Sequence, residues 1–552
     1  MKLSQKLATG TAEKRIAVKL LPVSENKTAG NQPPQAQNPS DDTPEQVRIR
    51  VEKRAQLLES GVNPYPVQLP VTATIAQIRE QYSHLEAGDE TEDLAGVAGR
   101  VMFLRNTGKL CFVTIQDGAG SRLQAMLSAN EVGMDSLQQF KTAVDLGDHL
   151  YVHGRVISSR RGELSIMATA GGEGTGAGTF TAAPAWALAA KAVRPLPKTF
   201  TAEDGTEVSL SEEQRVRRRE LDMIMRQSAR DMVRTRSLVM RSLRQWFDQH
   251  DFLEVETPML QNIHGGAAAR PFTTHMNAYD TDLYLRIAPE LFLKRCLIGG
   301  VENVFEINRN FRNEGADSSH SPEFTMLEAY QAYGTYDTIG QLTQDIVQNA
   351  AIAATGSTKV TLPDGTEYDL GGEWKQIGLY ESLSEKLGEE VTPETSRERL
   401  LQLAEQHEVE VEDYYVDGKI VETLWEELVG DHLWEPTFVR DFPVDTSPLV
   451  KAHRSQPGKV EKWDLIVRGF ELATGYSELN DPVVQRERFE QQSLDAANGD
   501  PEAMEVDEEF LQAMEQGMPP AGGMGMGIDR LLMAITGQGI RETITFPLVK
   551  RL

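Results

Sequence analysis

Hydrophobic and polar residues alternate most strictly from Val304 to Tyr330, VFEINRNFRNEGADSSHSPEFTMLEAY. A period of two puts Phe305, Ile307, Arg309 and Phe311 on one face and Glu306, Asn308, Asn310 and Arg312 on the other, which predicts a strand. After a polar loop from Asn313 to Pro322 the alternation resumes, with Phe324, Met326, Glu328 and Tyr330 against Thr325, Leu327 and Ala329. It predicts a second strand, antiparallel to the first. One face of this hairpin mixes arginine, carboxylates and aromatics. Guanidinium forks match phosphate oxygens, a Phe ring offers a stacking surface, and Glu314 or backbone groups can read an amino-purine edge. A solvent-facing hairpin with charged decoration accounts for the same residues.

Elsewhere the pattern predicts a change of architecture along the chain. Residues 45–64 carry Val47, Val51, Leu57 and Leu58 at helical spacing among alternating charges, and Pro64 and Pro66 end the run. From Gly96 to Ile166 the runs VAGRVMFLR, KLCFVTIQD, SRLQAMLS, LGDHLYVHGRVIS and GELSIMA, punctuated by glycine, predict a small barrel. Residues 168–184 and 200–214 are poor in bulky side chains and read as surface loop or linker. RDMVRTRSLVMRSLRQWFDQHDFLEVETPML predicts a long arginine-rich helix and a strand ending at Pro258. A solvated helical face is the ordinary reading of those arginines. Residues 335–450 include a charged helical segment, SRERLLQLAEQ, and a strand at PTFVRDFP, with no separate activity assigned.

Composition narrows the class. The chain has 552 residues and 40% hydrophobic content, enough for more than one domain. A formal charge of −27, from 56 basic and 83 acidic residues, confines any RNA contact to local basic patches. Cys111 and Cys296 sit in apolar stretches and offer neither a disulfide framework nor a zinc cluster, so both read as reduced, buried thiols. No run approaches a membrane span and no signal-peptide core opens the chain, which makes the cytoplasm the expectation. The first 44 residues, ending in PPQAQNPSDDTPEQ-like composition, predict a disordered tail.

Three further stretches carry candidate chemistry. GGMGMGIDRLL, Gly522 to Leu532, places four glycines before an apolar helical run, so that backbone and Arg530 can approach a ligand closely. In YLRIAPELFLKR, Glu290 follows a proline between apolar runs, where a carboxylate requires a partner. WDLIVRGFELATGYSELND spaces Asp464, Glu471 and Glu478 by seven. Strict alternation sends neighbouring members to opposite faces; a bulge or bend at Gly469 and at Gly475 returns all three to one side.

FRNEG…HSPEFTMLE and GMGIDRL resemble motifs 2 and 3 of the class II aminoacyl-tRNA synthetases. With RPF, YLRIAPELFLKR and SELNDP, in family order over roughly residues 95 to 552, they resemble the bacterial lysyl-tRNA synthetase family. The resemblance implies an α+β multidomain fold, an OB-fold β-barrel followed by a class II catalytic domain with an antiparallel sheet flanked by helices. Composition and spacing add a disordered extension (1–44), a helical lead-in (45–94) and a linker (191–230), and the resemblance implies an anticodon-binding barrel with a Gly-rich insertion (95–190). A catalytic domain (231–552) with an insertion at about 335–450 follows. The arginine-rich helix resembles motif 1, which implies a homodimer.

The matched positions imply roles. Arg312, Glu314, His320, Phe324, Asp464, Glu471 and Arg530 match ATP-binding positions, Arg312 and Arg530 being catalytic. Asp464 and Glu471 match the ligands of Mg²⁺. Gly266, Glu290, Glu328, Tyr330, Thr474 and Glu478 match the lysine pocket, and Arg105, Phe112, Gln124 and Glu163 match anticodon-binding positions. Without the resemblance, Phe112 reads as a core aromatic and His320 as a solvated loop histidine. Ser321 and Thr474 stand where the family commonly has asparagine; both keep a shorter hydrogen-bonding side chain. The reaction implied joins L-lysine to tRNA(Lys) with ATP. Two other readings use the same residues: a paralogue that lysylates a protein or lipid, and an inactive RNA-binding regulator.

Overall fold

The computed structural model describes residues 44–170, 183–198, 200–201, 207–208, 210–317, 320–362, 364–497 and 506–550. The expected N-terminal tail lies outside them except for Pro44, as do residues 171–182 of the Gly-rich stretch. The boundary between two compact units falls after Pro195.

In the first unit, α1 (Glu45–Glu59) takes the helical spacing of residues 45–64. The five strand-like runs form β1 (Glu90–Asn106), β2 (Leu110–Gln116), β3 (Arg122–Ser128), β4 (His149–Ser158) and β5 (Leu164–Ala168). They lie in the order β1–β2–β3–β5–β4, and β1 pairs with β4 as well as β2, so the sheet closes into a barrel. Closure leaves the period-two residues pointing inward, and Val97, Val101, Val113, Ile115, Leu123 and Val152 are fully buried. Two elements of the unit lie beyond the strand and helix runs described above. α2 (Met134–Ala143) adds Leu137 and Phe140 to the same core, and β6 (Trp186–Ala190) pairs with β4. The sequence WALAA has weak strand preference, so pairing with β4 decides its state.

In the second unit, α3 (Gln227–Gln249) leads to β7 (Leu253–Glu254), which stops short of Pro258. α4 (Glu290–Ile298) precedes the hairpin β8 (Asn303–Phe311) and β9 (Glu323–Ala332), then α5 (Tyr336–Thr355). β10 (Lys375–Gly378), β11 (Thr437–Arg440), β12 (Lys462–Val467), β13 (Phe470–Ser477), β14 (Ala521–Gly527) and α6 (Ile528–Thr536) follow. The eight strands form one sheet in the order β10–β11–β12–β13–β14–β9–β8–β7. It is antiparallel except at its edges, where β10 with β11 and β7 with β8 are parallel. The hairpin register sets Glu306 opposite Glu328, Asn308 opposite Met326 and Asn310 opposite Phe324, as the alternation predicts.

The two faces of this sheet differ. Phe305, Leu327, Ala329, Leu465, Ala473, Met524 and Met526 enter a core closed by α3, α5 and α6. Phe247 of α3 stacks on Phe305 with centroids 4.3 Å apart. The other face carries Glu306, Asn310, Glu328, Asp464 and Glu478, all buried. Polar side chains on a buried face mark a site that helices cannot cover.

Four expectations are revised. Residues 335–450 are not one insertion: α5 packs in the main core, while helices Leu379–Leu387, Arg397–Gln406 and Asp417–Leu428 build a smaller core with Val439. The linker over 191–230 contains helices Glu212–Arg217 and Arg219–Met225, the first held by a Ser211–Gln214 capping box. Arg236 of α3 is not a solvated arginine, since it pairs with buried Asp529 at 2.5 Å and donates to Thr325 Oγ1 at 2.7 Å. Cys111 is buried as expected, but Cys296 is only half-buried.

Candidate active site

A pocket opens on the polar face of the sheet, lined in part by Arg312, Glu314, His320, Phe324, Glu471 and Arg530. Arg312 leaves the end of β8 and turns its Cζ to within 5.2 Å of the Phe324 ring centroid on β9. Its Nε is buried without a hydrogen-bond acceptor, and burial pushes the guanidinium below its ordinary range while Glu314 and Glu471 oppose the shift. Arg530 sits in the first turn of α6, where Nη1 donates to the Glu471 carbonyl at 2.7 Å and Nη2 lies 3.1 Å from His320 Nε2. Glu314 accepts from the Arg270 amide at 3.3 Å, which brings the RPF stretch to the pocket mouth. Ser321 also lines the pocket, its hydroxyl donating to the Glu323 carbonyl.

The pocket floor is built by a strand that the sequence reading took only as a glycine-rich approach to a helix. β14 alternates Gly with Met: Met524 and Met526 enter the core, and the glycines between them face the site. A Cβ on Gly523 would stand 2.1 Å from Glu478 Oε1 and 2.5 Å from the Tyr330 ring; one on Gly525 would stand 2.5 Å from Met326 Cε. Glycine costs strand stability, and here it yields the space the site side chains occupy. Gly525 is the cross-strand partner of both Glu328 and Thr474.

Beyond that floor lie the residues matched to an amino-acid pocket. Glu290 opens α4, Glu328 and Tyr330 are two apart on β9, and Glu478 follows β13; all are at most 5% exposed. Tyr330 Oη donates to Glu328 Oε2 at 3.0 Å. Gly266 has φ of +88° and places its Cα over Glu290, where a Cβ would meet Glu290 Cβ at 3.0 Å. Burial raises all three carboxyls above their ordinary range: Glu290 despite Lys294, Glu328 with Glu290 adding to the effect, and Glu478 up to about 8.

Asp464, Glu471 and Glu478 do share one face of the sheet, by other irregularities than those expected. Gly469, with Arg468, forms the two-residue hairpin turn between β12 and β13, both with positive φ. The bulge is at Leu472, because Leu465 pairs with Ala473 and Ile466 with Glu471, while Gly475 is in regular register with Trp463. One extra residue reverses the alternation, and Glu471 lines the pocket. Asp464 lies opposite Thr474, off the pocket lining, with Oδ2 at 3.2 Å from Lys462 Nζ and Oδ1 buried without a donor. Burial raises Asp464 to about 7, with Lys462 opposing. Among the described residues no three His, Cys, Asp or Glu side chains group to hold a metal. Two carboxylates, one with an orphaned oxygen and one in the pocket, fit Mg²⁺, which takes few protein ligands and completes its shell with phosphates and water.

On the barrel, Phe112 is half-buried and alternates with the buried Cys111 and Val113, so it is an outward residue and not a core aromatic. Arg105 is its cross-strand neighbour, and Gln124, opposite Thr114, donates to Ser165 Oγ at 2.8 Å. Glu163 is exposed and meets Arg79 at 3.3 Å. Phe103, 55% exposed and two residues before Arg105, belongs with this group and was not singled out. Period two from Arg105 would have found it.

Lys294, Arg286, Glu306 and Asp529 were also missed. Arg286 pairs with Glu306 at 2.7 Å, both buried, and Asp529 Oδ2 accepts from the Thr325 amide. The i, i+4 spacing of Glu290 and Lys294 was the one readable signal among them.

A family model described as tRNA synthetases class II (D, K and N) matches residues 211–550, and one described as OB-fold nucleic acid binding domain matches residues 96–170. A lysine–tRNA ligase of Kineococcus radiotolerans is 61% identical over 511 residues, 92% of this chain and 98% of that protein. A lysine–tRNA ligase of Mycolicibacterium gilvum is 57% identical over 513 residues, 93% of this chain and 98% of its own. A lysylphosphatidylglycerol biosynthesis bifunctional protein of Mycobacterium avium is 45% identical over 511 residues, which are 92% of this chain but 41% of that protein.

Proposed function

The chain belongs to the class II tRNA synthetases of the D, K and N group, and from that membership we propose that it is a lysine–tRNA ligase. It activates L-lysine with ATP and transfers the lysyl group to the 3′ end of tRNA(Lys). The observation that carries the choice of amino acid is the group of buried carboxylates, Glu290, Glu328 and Glu478, beyond the floor of the nucleotide pocket. Such a group suits a ligand with a cationic side chain and an α-ammonium, and a neutral isostere leaves carboxylates unpaired.

In the first step a lysine carboxylate oxygen bonds to the α-phosphorus of ATP, and the bond from that phosphorus to the bridging oxygen breaks to release pyrophosphate. The nucleophile is already an anion, so no side chain acts as base and the rate comes from positioning and charge stabilisation. Arg312 holds the α-phosphate, Phe324 and Arg530 sandwich the adenine, Glu314 reads its edge, and His320 lies beside the phosphates. Asp464 and Glu471 would hold Mg²⁺, which when bound offsets the charge of the phosphates. In the second step a terminal ribose hydroxyl of tRNA attacks the acyl carbon and AMP leaves.

The barrel over 95–190 serves in this reading as the anticodon-binding domain, with Phe112 as a stacking platform and Arg105, Gln124 and Glu163 as hydrogen-bonding groups. Residues 231–552 are the catalytic domain. Homodimer formation through α3 and β7 is supported by exposed apolar residues there, Val233, Leu238 and Leu253, with Met259 and Leu260 just beyond. We place the enzyme in the cytoplasm with its tRNA. Transfer to a lipid has one observation in its favour, the 45% identity to the bifunctional relative; the chain spans less than half of that protein, and no described helix is long and apolar enough to cross a membrane.

The test is charging of total tRNA with each standard amino acid in turn. Lysine attached to a lysine tRNA is the expected product. Lysyl-adenylate without charged tRNA would transfer the reading to another acceptor, and no adenylate with any amino acid would leave an RNA-binding regulator.

A further inference from the structure

One buried charge that the proposed mechanism does not use faces the amino-acid carboxylates. Lys294 lies one turn after Glu290 on α4, and its side chain is fully buried. Its Nζ is 2.7 Å from Glu290 Oε1, 2.6 Å from Glu478 Oε2 and 3.3 Å from the Leu449 carbonyl oxygen. The carbonyl accepts a hydrogen bond from this ammonium, and the two carboxylates flank it as ion-pair partners. Glu290 Oε1 and both Glu478 oxygens are buried without a hydrogen bond of good geometry, and Glu478 Oε1 has no cation beside it, on the side where Gly523 leaves room for it.

The charges can be counted. Glu290, Glu328 and Glu478 contribute three carboxylates and Lys294 one ammonium, all buried. Arg286 is engaged by Glu306, and Arg312, which favours the ionised form of Glu328, is assigned above to the α-phosphate. With all three carboxyls ionised two negative charges are left over, and lysine carries two ammonium groups. Two neighbouring carboxylates with no cation between them retain a shared proton, and a protonated acid no longer accepts from an ammonium at that oxygen. A fixed cation disfavours that option.

We propose that Lys294 is a positioning residue of the amino-acid pocket: its ammonium holds Glu290 and Glu478 at a set separation and favours their ionised forms against the burial that opposes them, so that a diammonium substrate can pair with two carboxylates. The enzyme's own lysine thereby sets the charge that selects a free lysine. An amino acid with a single ammonium leaves one buried carboxylate unmatched, whereas lysine matches both. This inference rests on the lysine-activating reading above. A purely structural tie between α4 and the end of β13 would use the same contacts, and the two roles differ in what restores function once the ammonium is gone.

The experiment uses the full-length protein and lysine-dependent ATP–pyrophosphate exchange, with KM measured separately for lysine and ATP. Lys294→Ala removes the chain beyond Cβ, and propylamine supplies the missing three carbons and ammonium; propanol has similar size without the charge. Lys294→Met fills the space with a neutral side chain. We expect both variants to raise the lysine KM by about 100-fold, as loss of a polar recognition element does. The ATP KM stays within about threefold. Propylamine restores Lys294→Ala by about tenfold or more, propanol does not, and Lys294→Met responds to neither. An unchanged lysine KM, a parallel rise in both KM values, equal rescue by propanol, or failure of both variants to fold would each reduce Lys294 to a structural tie. Wild-type protein in the same assay tests the underlying reading separately: no exchange with lysine there overturns the function, whatever the variants do.

Discussion

The proposed nucleotide end and the proposed amino-acid end of the site share one sheet face but treat charge in opposite ways. At the nucleotide end Glu314, His320 and Glu471 are exposed, and Arg530 is held by a carbonyl oxygen and a histidine that a ligand can replace. At the amino-acid end Glu290, Lys294 and Glu478 are at most 5% exposed and engage one another directly. Exposed charges are screened and exchange partners at little cost, which suits a nucleotide that enters and leaves at every turnover. Buried charges must balance, which suits discrimination between amino acids that differ by one ammonium.

The largest effect should come from upsetting the buried end. Glu478→Gln leaves Lys294 with one carboxylate and the substrate with one fewer, and is expected to lower kcat/KM for lysine in pyrophosphate exchange by about 10³-fold or more. The ATP KM should change little, and an equal change in both would erase the distinction between the ends. Arg530→Ala comes next, removing one side of the adenine sandwich, with a loss of about 10²–10³ in exchange that appears with saturating lysine. Phe112→Ala lies outside both ends. It should leave exchange unaltered and weaken tRNA charging by about 1–3 kcal/mol in apparent affinity. Loss of exchange in Phe112→Ala equal to that in Arg530→Ala would contradict the division of labour.

The smallest effect is in pH. Glu478 is pushed up to about 8 and Asp464 to about 7 in the folded chain, above ordinary carboxylate values. The folded state then binds more protons than the unfolded one between those values, so stability is greatest below the ordinary range and falls as pH rises through 7 to 8. The melting temperature of the ligand-free protein should fall across that window, and less so with lysine and ATP present, because the ligand's ammonium groups favour the ionised carboxylates. A flat profile without ligand would show that the buried end is already compensated.

Much of this arrangement was readable because it rests on periodicity. The β8–β9 hairpin followed from strict alternation, and its register put Glu328 opposite Glu306 as period two requires. The barrel strands followed for the same reason. What escaped depended on contacts distant in sequence. β6 is a strand because β4 pairs with it, and β14 is a strand although glycine weakens strands, because Met524 and Met526 anchor it in the core. The bulge at Leu472 leaves no mark that distinguishes it from one at Gly475. The ion pair of Asp464 with Lys462, and its place opposite Thr474, follow from the register of β12 with β13. Lys294 sits among apolar residues at a spacing that serves equally as a surface ion pair, and only the approach of Glu478 from the other end of the chain gives it a second partner.

The most direct test of the account is pyrophosphate exchange with lysine against norleucine, which keeps the aliphatic chain and replaces the side-chain ammonium with a methyl group. The account predicts that lysine is preferred by about 10⁴-fold or more in kcat/KM, since norleucine leaves a buried carboxylate unpaired. A preference no larger than the ~10–200-fold that a hydrophobic pocket supplies would contradict the claim that balanced buried charge selects the amino acid.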